Sequence, residues 1–247
     1  MIKNRINFKY ATIPFYKIFL FSFAYAYFRY VYFKGVDSTH IPLYIVNKAI
    51  AVSSVLLIGL SYLAKPLSLI SPQNFKIMLL KRKYYGVVGA IAGCFHSMIS
   101  SIELSAGYFD KFSLPNGMFT FWGEISILFG LIALMHIIFL TFLSLPSIIS
   151  TMDKTQWREI QRGGRFLLIP VFLHLFFMGA QGWFNLSKWY GGMAPTTFIS
   201  ALIIITTFLI RYFTFKWMSQ KDSIKKVWYK IIKYFAYIGG RPSKENQ

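Results

Sequence analysis

Six long apolar stretches alternate with short polar or basic ones along this chain. The first opens at Pro14, runs to about Phe33 and is almost saturated with Phe and Tyr. The others cover about Leu43–Leu63, Tyr84–Ile102, Phe119–Leu145, Phe166–Trp183 and Phe198–Phe215. A helix needs about 20 apolar residues to cross the hydrocarbon core of a bilayer. The runs are continuous, without the strict alternation of half-buried strands. The pattern predicts an all-α integral membrane protein built as a six-helix transmembrane bundle. No internal repeat or low-complexity segment interrupts it.

The connections give the orientation. The N-terminal stretch, the loop after span two (Lys65, Lys76, Lys81, Arg82, Lys83), the loop after span four and the C-terminus are basic. The links after spans one, three and five are not. Lys and Arg collect on the cytosolic side, so the pattern predicts both termini in the cytosol, as in a multi-pass protein of a bacterial inner (plasma) membrane. The basic stretch after span two holds two prolines and is predicted as a loop. Pro170 is expected to kink span five. No small-residue cleavage site follows the first span, which predicts an uncleaved anchor.

Residues 1–217 form the six-span domain in this reading, and 218–247 a basic cytosolic tail. Within the tail Ile224, Val227, Trp228, Ile231, Ile232 and Phe235 recur at helical spacing, with Lys225, Lys226, Lys230 and Lys233 between them. That pattern predicts a C-terminal amphipathic interfacial helix on the cytosolic leaflet, ended by Gly239-Gly240 and Pro242.

Composition agrees. The 247 residues are 55% hydrophobic and 19% aromatic, with a mean hydropathy of +0.49, too apolar for a soluble domain of this size. The formal net charge is +19. Its placement beside the spans indicates anionic membrane lipids as partners, and no nucleic acid. The single cysteine, Cys94, excludes an intrachain disulfide. No phosphate-binding glycine motif follows a strand, and no hydrolase triad is visible.

The candidate chemistry rests on histidines. His96 lies in span three, about fourteen residues or 20 Å beyond the basic cluster. His174 lies in span five, about nine residues or 13 Å beyond Arg165. Ionisable groups at such depth are costly and mark function by default. Both helices run from the cytosol outward. Facing imidazoles in a bundle core can hold an iron porphyrin as axial, metal-coordinating ligands. His136 in span four lies at a similar depth. It could be a ligand, a hydrogen-bond partner of a propionate or a proton carrier; an interhelical hydrogen bond would also account for it. Gly89 and Gly93 in span three form a Gly-x-x-x-Gly pair suited to close helix packing. Glu103 and Glu124 sit near outer helix ends and need no function there.

These features together resemble the ferric reductase-like transmembrane domain family. They are most similar to the heme-binding membrane subunit of the periplasmic methionine sulfoxide reductase system. The resemblance rests on Arg82, Lys83 and Gly86 opening span three ahead of His96, on Leu140 to Ser144 late in span four, and on Trp157, Ile160-Gln161-Arg162 and His174. It covers roughly Leu43 to Phe215. It implies heme b held by His96 and His174. It also implies electron transfer from a quinol or a flavin reductase donor to an outer-face oxidoreductase subunit. The chain would then be at most the electron-transfer subunit of an oxidoreductase, with no catalytic residue of its own. Gln161 stands where the family has a further histidine, so the resemblance implies one heme rather than two, with a quinone in the bilayer as the more direct donor. A different class of reading follows from the same departure: a non-redox membrane scaffold or assembly protein with a degenerate heme site.

Overall fold

Every regular element is helical in the described part of the computed structural model, which covers residues 9–104 and 110–238. Helix α1 spans Lys9–Ala26 and continues as a π-helical stretch, Tyr27–Phe33. Short turns at Ser38–His40 and Ile41–Ile45 lead into α2, Val46–Ile70. Then come α3 (Pro72–Ile102), α4 (Phe121–Leu143), the single turn α5 (Pro146–Ile149) and α6 (Lys154–Gly163). A 3-10 turn, Gly164–Leu167, joins α6 to α7 (Leu168–Trp183), and α8 covers Thr196–Ile238.

Five helices among the described residues are long and apolar enough to cross a membrane: Ser38–Ile70, Pro72–Ile102, Phe121–Leu143, Gly164–Trp183 and Tyr190–Gln220. They coincide with predicted spans two to six. The first predicted span is helical but falls outside this set. Its tyrosines, Lys17 and Arg29 dilute the apolar character that its phenylalanines supply. Arg29 is only 3% exposed and donates to the carbonyls of Met193 (2.8 Å) and Lys188 (2.9 Å), tying the end of this helix to the connection before α8.

Three expectations change. The basic loop predicted after span two is helix on both sides of a single break at Ser71. Pro72 sits in the first turn of α3, where a proline costs nothing because that N–H has no intrahelical partner. Pro66 lies inside α2. It cannot donate to the carbonyl of Tyr62 four residues earlier, and the Arg211 guanidinium donates to that carbonyl instead at 3.1 Å. Pro170 falls in the first turn of α7, so the irregularity lies ahead of it, in the 3-10 turn Gly164–Leu167. The predicted tail helix is continuous with span six, as α8 runs unbroken to Ile238. The side chains from residue 221 onward, that of Gln161 and the residues 239–247 lie outside what is described.

Helix α2 is the hub. It packs along α3, α8 and α1, while α4 packs against α7. The α2–α3 seam is close: a Cβ on Gly89 would meet the Ile58 backbone nitrogen at 3.1 Å and Ile58 Cγ1 at 2.9 Å, and one on Gly93 would meet Ser54 Oγ at 3.0 Å. The Ser54 hydroxyl donates to the Gly89 carbonyl at 2.7 Å. Small residues and short hydroxyl bonds are how helices associate in lipid, where burying apolar surface gains little. Large apolar side chains such as Met135, Phe139 and Phe142 of α4 face outward and are exposed, as a lipid-facing surface requires.

Candidate functional site

His96 and His174 line one cavity of about 380 Å³, bounded by α2, α3, α4, α7 and α8. Two residues far apart in the sequence thus share one space. His96 lies six residues before the end of α3 and His174 near the middle of the apolar stretch Gly164–Trp183. The connection before α4 folds over this end. Its Phe112 and Phe119 join the cavity wall, held by the Thr120 N–H donating to the Phe112 carbonyl at 2.7 Å.

The surroundings of each imidazole fix its tautomer. Nδ1 of His96 lies 2.6 Å from Asn47 Oδ1. The Asn47 amide nitrogen donates to Glu103 Oε2 at 2.7 Å and to Ser100 Oγ at 3.0 Å. The amide is therefore oriented with its oxygen toward His96. An amide oxygen only accepts, so Nδ1 of His96 carries the proton and donates. Nδ1 of His174 lies 2.8 Å from the backbone carbonyl of Ser126 in α4. That oxygen too can only accept, so His174 is also protonated on Nδ1. In both rings Nε2 keeps its lone pair and has no recorded hydrogen-bond partner among the described residues. A neutral imidazole holding its other N–H to a carbonyl is the arrangement that presents a nitrogen to a metal.

Local sequence explains why the rings sit there. His96, Ser100 and Glu103 follow each other at four and three residues, on one face of α3. Asn47 meets them from the first turn of α2. On the other side, Gly130 of α4 lets the His174 ring approach: a Cβ there would lie 3.0 Å from Nδ1. Ser126 is fully buried, and its hydroxyl lies 3.3 Å from the same nitrogen.

Polar groups mark the end of the cavity nearest the Phe112 cover. Glu103 is 1% exposed, and its Oε1 has no hydrogen-bond partner. Lys48 lines the cavity with its ammonium 4.0 Å from the Tyr44 ring centre. It forms no ion pair with Glu103; the one recorded among the described residues joins Arg162 to Glu159.

His136 is half-buried in α4 and lines neither this cavity nor the larger one at the opposite end of the bundle. The cavity brings together the predicted pair and leaves the third histidine out. Asn47, Ser126 and Gly130 carried no signal in the sequence analysis, and Glu103 was read as an ordinary helix-end carboxylate. The four- and three-residue spacing of His96, Ser100 and Glu103 was the legible clue.

Among the described residues no group of three or more His, Cys, Asp and Glu converges where a metal ion could be held by side chains alone. A porphyrin iron differs in its needs, because the macrocycle supplies four ligands and the protein one or two. The two uncommitted Nε2 atoms fit that requirement. The cavity volume falls within the range that holds cofactor-sized ligands, and Lys48 is the one cation among its described lining residues. No family model matches the chain, and no curated protein matches it.

Proposed function

We propose that this chain is a b-type heme protein of the membrane, in which His96 and His174 would be the residues that hold one heme. It would pass electrons from quinol or a flavin reductase partner to an acceptor on the outer face. The observation that carries the reading is the pair of imidazoles on one cavity, each committed through Nδ1 and free at Nε2. The chain's resemblance to the ferric reductase-like family points the same way.

The one-electron chemistry would come from the heme itself. The chain's own residues orient and insulate. Asn47 and Ser126 hold the two rings in the ligating tautomer. Glu103 and Ser100 hold Asn47. Phe112 and Phe119 give the cavity apolar wall at the end of α3 and the start of α4. His136 stands outside that arrangement. In this reading α1 also crosses the membrane despite its tyrosines and brings the spans to six, both ends are cytosolic, and the protein sits in a bacterial inner membrane among anionic lipids. The seven Lys and Arg residues around the opposite cavity support that orientation.

A second reading is a non-redox scaffold or assembly protein that keeps the fold. The absence of a three-residue metal-binding group among the described residues favours it. So does the plain structural use of Asn47 and Ser126 as interhelical hydrogen-bond partners. An optical spectrum of detergent-purified protein from heme-supplied cells, oxidised and then dithionite-reduced, separates the two. A sharpened Soret band with split visible bands at one heme per chain supports the first. A featureless spectrum overturns it and leaves the scaffold.

A further inference from the structure

A second, larger cavity of about 1220 Å³ opens at the other end of the bundle, between α2, α3, α4, α8 and the α6–α7 turn. Its rim carries Lys65, Arg82, Lys83, Arg162, Arg165, Arg211 and Lys216, and among the described residues no carboxylate lines it. Among the described residues only Arg162 of these seven cations has a recorded carboxylate partner, Glu159. Arg82 and Arg211 are half-buried, and the nearby charges that bear on Arg211 are those of Arg82 and Arg165. Arg211 is held in place by the Tyr62 carbonyl that Pro66 leaves without a helical donor. One guanidinium nitrogen is used there. Like charges converging on partly desolvated ground are unfavourable unless an anion joins them.

The deeper wall is apolar, formed by Ile58, Ala90, Ile137, Leu140 and Phe208. A basic rim above an apolar floor, between membrane helices, matches a phosphate joined to a hydrocarbon body. We infer that this cavity is a binding site for an anionic phospholipid, with the headgroup phosphates on Arg82, Arg165 and Arg211 and acyl chain against the apolar floor. Six cations without a carboxylate partner favour a lipid bearing two phosphates over one. The site is independent of the heme reading and depends only on the membrane placement of the bundle. It also differs from a general attraction of basic loops to lipid, because it requires particular arginines and a seat of defined size.

The test uses the full chain in neutral detergent. Retention of added diphosphatidylglycerol is read by native mass spectrometry, with phosphatidylcholine and inorganic pyrophosphate as the comparison probes. The expected result is one diphosphatidylglycerol per chain, little phosphatidylcholine and no stable pyrophosphate adduct. Retention should fall about fivefold for each rim charge removed, in Arg82→Gln and in the double variant Lys83→Gln/Arg165→Gln. The double variant keeps the proposal testable if Arg82→Gln does not fold. Lys34→Gln/Lys188→Gln, which removes two cations outside this cavity, should leave retention unchanged. Equal retention of phosphatidylcholine would overturn the proposal. So would retention that the rim variants leave unchanged, or a pyrophosphate adduct without lipid.

Discussion

Asn47 and His96 face each other across the α2–α3 seam with Oδ1 and Nδ1 2.6 Å apart, and the direction of that bond is set by Glu103. Because Glu103 and Ser100 take the amide protons of Asn47, the amide oxygen is left for the ring. Replacing Asn47 by Leu removes the acceptor. We expect heme affinity to fall about 10- to 100-fold, the range for partners that orient a metal ligand, while the protein still inserts. Heme titration of the purified variant checks this. Wild-type affinity would remove Asn47 from the site.

The two axial candidates should behave alike and differently from the third histidine. His96→Ala and His174→Ala are each expected to abolish the low-spin spectrum. His136→Ala should leave spectrum and stoichiometry unchanged, since His136 lines neither cavity. A lost Soret band in His136→Ala would reassign the ligands.

Gly130 tests the other imidazole. A methyl at this position would lie 3.0 Å from Nδ1 of His174, tight enough to shift the ring, and a larger branched side chain would displace it. Gly130→Val is expected to lose heme with membrane insertion intact, and Gly130→Ala to lie between it and wild type. Hemochrome assays across the series decide this. Undiminished binding in Gly130→Val would mean that the ring position does not depend on this close approach.

The α2–α3 seam gives a stability prediction. A side chain on Gly89 would run into the backbone of Ile58, so Gly89→Val should cost about 1–3 kcal/mol, the usual range for overpacking. Ser54→Ala loses one buried interhelical bond and should cost about 0.6 kcal/mol. Thermal unfolding in detergent, followed by circular dichroism, ranks the two. The reverse order would place the closest α2–α3 contact elsewhere.

Pro66 and Arg211 should be coupled. Pro66→Ala restores an N–H that can reach the Tyr62 carbonyl, making the Arg211 bond redundant. Arg211→Gln should therefore destabilise less in the Pro66→Ala background than in wild type, by about 0.5–1.5 kcal/mol in a double-mutant cycle. Strict additivity would show that the guanidinium is not there to satisfy the backbone.

Which stretches are helical, and long and apolar enough to cross a membrane, was legible from hydrophobic length, a one-dimensional property. Spans two to six appear where the apolar runs predict them. The first stretch shows the limit of that signal: it is helical, but Lys17, Arg29 and its tyrosines keep its character from being read from length alone. Prolines misled for a related reason. Pro66 and Pro72 read as marks of a loop, yet Pro72 takes a first-turn position where no N–H is needed, and an arginine from another helix donates to the carbonyl that Pro66 leaves. Burial depth singled out His96 and His174 but equally singled out His136. Only packing showed which pair shares a cavity, because facing depends on helix rotation about its axis and on neighbours such as Gly130. The partners of the rings, Asn47 and Ser126, come from helices 49 and 48 residues away in the chain. Hydrogen bonds across helices leave no periodic trace in sequence, so the tautomers, and with them the chemistry the pair can do, were decided by the tertiary structure.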